Sequence, residues 1–185
     1  MKELETRILD IDVDNIRNIL TTYGAEKVKS EDQVNNIYDF ADRRLLDAKG
    51  YARIRTTVDR IKGIETSFMT TKKMLHQGRF KEMEENETII EDKEMGAKIF
   101  TSLGLELVQS IKKYRESYKI GDSLVEIDIN DPSFCPFPYL EIETHCEEEL
   151  AKIVKILGYT LDDTNSKTIY EILNERGFNT NEKGL

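Results

Sequence analysis

Lys2-Glu3-Leu4-Glu5-Thr6-Arg7-Ile8 alternates strictly: Glu3, Glu5 and Arg7 fall on one side of an extended chain, and Leu4, Thr6 and Ile8 on the other. Carboxylates two residues apart on a strand lie roughly 6–7 Å apart along it. That spacing lets them grip one hydrated divalent cation, with a guanidinium one step further on to meet an anion. An antiparallel sheet with one wet face alternates in the same way, so the stretch alone leaves open which side faces the interior.

The device recurs along the chain. Val28–Phe40 reads as extended. Tyr51–Thr56 carries Arg53 and Arg55 on one face, and Ile64–Lys73 completes a hairpin with it across the polar turn Asp59–Gly63. Lys81–Ile90 carries Glu85 and Glu87, Val108–Ile120 sets Lys113, Arg115 and Ser117 against Tyr114 and Tyr118, and Gly121-Asp122 is a tight hairpin signal. Ser123–Asn130 then presents Glu126 and Asp128, and Tyr139–His145 presents Glu141 and Glu143.

Between the strands the period changes to that of a helix. Ile16, Ile19 and Leu20 follow a candidate cap at Asp12 or Asp14 and end at Gly24. Met95, Ile99, Phe100 and Leu103 are expected to point inward from a second helix, and Leu150, Ile153, Val154 and Leu157 from a third. Asp42–Gly50 suits a turn or short helix, and Thr164–Leu173, with Lys167 near its start, suits a last helix. The order of elements predicts an α+β domain with a mostly antiparallel sheet over residues 1–175 and a frayed tail over 176–185.

Composition bounds the function. The 185 residues carry a net charge of −9, with 34% charged and 38% hydrophobic residues. This balance argues against nucleic acid or an anionic membrane as the main partner. No apolar run approaches the roughly 18 residues of a membrane span, and no secretory leader pattern is expected. Cys135 and Cys146 are too few for a disulfide framework, which points to reduced thiols in a cytoplasmic protein.

About eight strand-like segments suffice to close a barrel. If the charged faces line its lumen, the cations there are Arg7, Arg53, Arg55, Lys72, Lys113 and Arg115. The acids are Glu3, Glu5, Glu85, Glu87, Glu126, Asp128, Glu141 and Glu143. Charges of both signs in one cavity must pair or meet a ligand. They fit a polyphosphate held by Lys and Arg, with Mg²⁺ or Mn²⁺ on the carboxylates. Periodicity does not decide between this and a solvated sheet face.

The series resembles the CYTH family, the triphosphate tunnel metalloenzymes. Glu3-Leu4-Glu5-Thr6-Arg7 is similar to its ExExK signature, and Gly50-Tyr51-Ala52-Arg53-Ile54-Arg55 to its second block. Thr70-Thr71-Lys72, Glu85-Asn86-Glu87, Lys113-Tyr114-Arg115, Glu126-Ile127-Asp128, Glu141-Ile142-Glu143 and Lys167-Thr168-Ile169-Tyr170 follow in register. The resemblance implies a closed eight-stranded antiparallel β-barrel with a charged lumen, covered by helices. It also implies an enzyme: a divalent-metal-dependent triphosphatase acting on tripolyphosphate, thiamine triphosphate or a nucleoside triphosphate.

By the same resemblance, Arg53, Arg55, Lys72, Lys113, Arg115 and Lys167 bind phosphate. Glu3, Glu5, Glu85, Glu87, Glu126, Asp128, Glu141 and Glu143 supply metal ligands, Glu5 and Arg7 act in catalysis, and the cofactor is Mg²⁺ or Mn²⁺. The alternatives are a class IV adenylyl cyclase and a non-catalytic polyphosphate-binding module, and a homodimer is possible in each case. Two positions depart from the family pattern: Arg7 stands for its lysine, and Met83 for an arginine before the middle acidic pair.

Overall fold

The computed structural model describes residues 2–178, with Lys2 and Glu3 described through their backbone alone. In chain order the elements are β1 (Lys2–Leu9), α1 (Val13–Tyr23), β2 (Glu26–Asp39), α2 (Arg44–Asp47), β3 (Tyr51–Asp59), β4 (Glu65–Gln77) and β5 (Lys81–Ile90). They continue with α3 (Lys93–Ser102), β6 (Glu106–Ile120), β7 (Ser123–Asn130), β8 (Tyr139–Thr144), α4 (Glu147–Ile156), a 3₁₀ turn (Leu161–Asp163) and α5 (Ile169–Glu175). The strands form a closed barrel in the order β1-β5-β4-β3-β2-β6-β7-β8, with β8 returning to β1. Every strand pair is antiparallel, and closure leaves no sheet edge exposed.

Strand parity decides which residues are enclosed. Ile8 of β1, Val125 and Ile127 of β7, and Leu140 and Ile142 of β8 face outward against helices. They pack with Ile16 and Leu20 of α1 and with Leu150, Ile153, Val154 and Leu157 of α4. Each such side chain contributes about 1.5–3 kcal/mol when fully buried, so the helix cover fixes the strands with their apolar faces outward. The alternate residues must then point into the bore. Caps hold the cover in register: Asp12 accepts from the Asn15 backbone N–H, and Gly24 ends α1 in the left-handed region at φ 84°.

Three local expectations are corrected. On α3, Met95, Ile99 and Leu103 are exposed, while Gly96 and Phe100 face the barrel. Phe100 joins Tyr38, Ala52 and Ile54. The helix turns this stripe inward because Gly96 allows close approach: a Cβ there would lie 2.8 Å from Ile90 Cδ1 and 3.3 Å from Ile54 Cδ1. Strand β4 runs on to Gln77 through a bulge at Met74–His76 rather than ending near Lys73.

The last helix starts at Ile169 because Thr168 and Glu171 form a capping box. Just upstream, Asn165 bridges Arg7 through two backbone hydrogen bonds of 3.0 and 2.8 Å. It thereby fills the wall beyond Lys81, where β5 begins opposite Glu5. In the expected tail, Arg176 pairs with Asp10 at 2.6 Å and the Phe178 N–H bonds Leu173 at 2.9 Å. Residues 179–185 lie outside the described part.

Candidate active site in the barrel bore

The bore is a cavity of about 820 Å³ lined by charged residues from all eight strands and, near one end, by residues of α5. One network spans β1, β4 and β5. The Lys72 ammonium bonds Glu5 and Glu85, each at 3.0 Å, and the Lys81 ammonium bonds the other oxygen of Glu5. Burial pushes the Glu5 carboxyl up, yet Lys81 and Lys72 outweigh it and hold its pKa at about 2. Burial and the neighbouring Arg7 draw the Lys81 ammonium down to about 8.

A second network lies on β3 and β5. Arg55 donates twice to Glu87, at 2.8 and 2.9 Å, and Arg53 reaches Glu85 and Glu87 at 3.4 Å. A third joins β6, β7 and β8. There Arg115 donates to Asp128 through two nitrogens at 2.6 Å, to Glu126, and to Glu141 at 2.9 Å. Lys113 also donates to Asp128, at 2.8 Å, and burial together with Arg115 brings its pKa down to about 8.

Glu5, Glu141 and Glu143 bring one carboxylate oxygen each within 4.8 Å of one another, and no other such group of acids occurs among the described residues. Arg7 bonds Glu141. Glu143 has no hydrogen-bond partner among the described residues. Burial, with Glu126 and Glu141 close by, lifts the Glu143 carboxyl well above the usual carboxylate range. Three hard oxygen donors, one of them without a counter-cation in hydrogen-bond contact, fit a divalent cation of the Mg²⁺ or Mn²⁺ type.

Most of the anticipated residues converge here, and several differ in place. Glu5, Arg7, Arg53, Arg55, Lys72, Glu85, Glu87, Lys113, Arg115, Glu126, Glu141 and Glu143 all line the cavity. Asp128 is fully buried behind Arg115 and Lys113, and both its oxygens are engaged. It orients these cations rather than facing the cavity. Glu85 and Glu87 pair with the β3 arginines instead of joining the carboxylate trio.

Lys167 turns its ammonium outward to Glu175 at 2.6 Å; only its backbone carbonyl reaches the site, accepting from Arg7 at 3.0 Å. The Glu3 side chain lies outside the described part. Sequence reasoning missed Lys81, which is 1% exposed. Its parity was legible, since Lys81, Met83, Glu85 and Glu87 share one face of β5.

The described residues thus form a closed antiparallel barrel whose bore carries paired cations and a carboxylate trio. The CYTH domain family matches residues 1–169, and the chain belongs to it. A Methanocaldococcus jannaschii protein named as a candidate adenylate cyclase is 28% identical over 181 residues, covering 93% of this chain and 98% of that one. Among solved structures, the PH1819 protein of Pyrococcus horikoshii superposes with a TM-score of 0.77 at 22% identity, over 94% of this chain and 99% of that one. A Hippeastrum protein, described as a candidate adenylyl cyclase with dominant triphosphatase activity, superposes with a TM-score of 0.67 at 16% identity, over 99% and 100% of the two chains.

Proposed function

We propose that the bore binds a triphosphate and hydrolyses it with a divalent cation. One observation carries the reading: the arginine pair of β3 stands across the bore from the carboxylates of β8, four strands away in the eight-stranded ring. A polyphosphate chain needs cations along its length and a metal beside the reacting phosphate. That division of charge suits the two sides of this cavity.

Arg53, Arg55, Lys72, Lys113 and Arg115 would take phosphate oxygens in exchange for their present carboxylate partners. Glu5, Glu141 and Glu143 would hold the cation. Bound there, Mg²⁺ or Mn²⁺ supplies Lewis acidity and lowers the pKa of a coordinated water. Arg7, held by Glu141 and the Lys167 carbonyl, would carry charge beside the attacked phosphorus. Asp128 keeps Arg115 and Lys113 in place without touching substrate. The free thiols Cys135 and Cys146 support a cytoplasmic setting.

The test is phosphate release from tripolyphosphate, ATP and thiamine triphosphate, each with Mg²⁺, with Mn²⁺ and with chelator. Metal-dependent release from at least one substrate is expected. Binding without release under every condition would make the barrel a sensor instead of an enzyme. The name of the Methanocaldococcus jannaschii relative favours a second reading, cyclisation of ATP to cyclic AMP and pyrophosphate; product analysis separates the two.

A further inference from the structure

Four cations cap two of the carboxylates that would hold the metal. One oxygen of Glu5 accepts from Lys81 and the other from Lys72 at 3.0 Å. One oxygen of Glu141 accepts from Arg7 and the other from Arg115 at 2.9 Å. A divalent cation binds through oxygen lone pairs, so its entry has to displace some of these donors.

Three of the four have a second partner to fall back on. Lys72 also holds Glu85 at 3.0 Å, Arg7 holds the Lys167 carbonyl at 3.0 Å, and Arg115 holds Asp128 through two nitrogens at 2.6 Å. Lys81 pairs with Glu5 alone among the described residues, and its 1% exposure leaves little water to replace that partner. Met83, the next residue of β5 on the bore face, has no charged acceptor to offer. A buried ammonium stripped of its carboxylate is strongly unfavourable. Lys81 lines the cavity, so an anion that enters with the metal can take the place of Glu5.

We propose that Lys81 exchanges Glu5 for a phosphate oxygen as the metal takes Glu5, and thereby couples divalent-cation binding to triphosphate binding. The proposal rests on the triphosphate reading of the bore and deepens it: the cation alone binds weakly, and cation and triphosphate together bind well. The flexible four-carbon stem of lysine allows the ammonium to swing between the two partners. Linkage makes the effect reciprocal, so the factor by which triphosphate tightens the metal is the factor by which the metal tightens triphosphate.

The experiment is calorimetric titration of the wild type and Lys81→Met with Mn²⁺ alone and with Mn²⁺ plus imidotriphosphate, whose imido linkages resist turnover. Association of Mn²⁺ with imidotriphosphate is measured without protein and subtracted. Lys81→Met should bind Mn²⁺ alone about tenfold or more tighter than the wild type, and its coupling factor should be smaller by about tenfold or more. A merely structural role would weaken both, whereas the exchange strengthens one and weakens the other. A crystal structure of the unaltered protein with Mg²⁺ and imidotriphosphate needs no variant to fold, and should place the Lys81 Nζ within about 3.2 Å of a phosphate oxygen. Equal Mn²⁺ affinity in the two proteins, equal coupling, or Lys81 still on Glu5 in that complex would overturn the exchange while leaving the triphosphate site intact. Failure of the wild type to bind imidotriphosphate with or without Mn²⁺ would refute the parent reading, and the exchange with it.

Discussion

Replacing Lys81 by methionine removes a buried ammonium while keeping the length of the side chain. Lys81 and Glu5 are 1% and 2% exposed, and the two are hydrogen-bonded. Breaking a buried ion pair costs about 3–5 kcal/mol when the partner is left alone. Here Glu5 keeps Lys72 at 3.0 Å, and the loss of Lys81 relieves its repulsion with Arg7. The expected cost falls to about 1–2 kcal/mol, a drop in Tm of about 2–8 °C for a chain of this size.

Thermal melts of the wild type, Lys81→Met, Glu5→Gln and the double variant should give a coupling of at least about 1 kcal/mol. Mg²⁺ should stabilise Lys81→Met more than the wild type, because one competing cation has left the carboxylate trio. Additive single effects, or equal metal stabilisation in both proteins, would refute the placement of Lys81 against Glu5.

Arg115→Ala should weaken triphosphate binding by about tenfold or more, whereas Asp59→Ala, which removes only turn hydrogen bonds to Ile61 and Lys62, should leave it unchanged in the same titration. Gly50→Ala should destabilise by about 1–3 kcal/mol in denaturant melts, since the new Cβ would sit 2.5 Å from the Lys72 carbonyl oxygen. Glu116, on the outer wall, is pushed up by burial but pulled down to about 2 by hydrogen bonds from Arg17, Tyr114, Tyr118 and Lys27. A carboxyl depressed in the fold stabilises above its unfolded value of 4.5 and loses that stabilisation as pH falls toward 2. Glu116→Gln should therefore flatten the decline of Tm across that window, and an unchanged acid limb would contradict the assignment.

Strand parity carried most of the site in the sequence. Once one orientation is fixed, Glu5 and Arg7, Arg53 and Arg55, Lys113 and Arg115, and Glu141 and Glu143 must share the bore, because side chains alternate with period two. The α3 stripe was misread because a helix with apolar residues on two adjacent faces has no unique inner side by periodicity. Steric room at Gly96 made the choice. Lys167 depends on where α5 begins, and the capping box shifted that start beyond it. That Lys81 pairs with Glu5 alone among the described residues follows from β1 lying against β5, and no local pattern announces such a pairing.

The most direct test of the account is release of phosphate by the purified protein, comparing excess Mg²⁺ or Mn²⁺ with chelator, alongside Glu5→Gln. Metal-dependent turnover of a triphosphate that vanishes in Glu5→Gln while the variant still melts cooperatively is the predicted result. Turnover that persists in chelator, or that Glu5→Gln retains in full, would contradict a metal site built on the bore carboxylates.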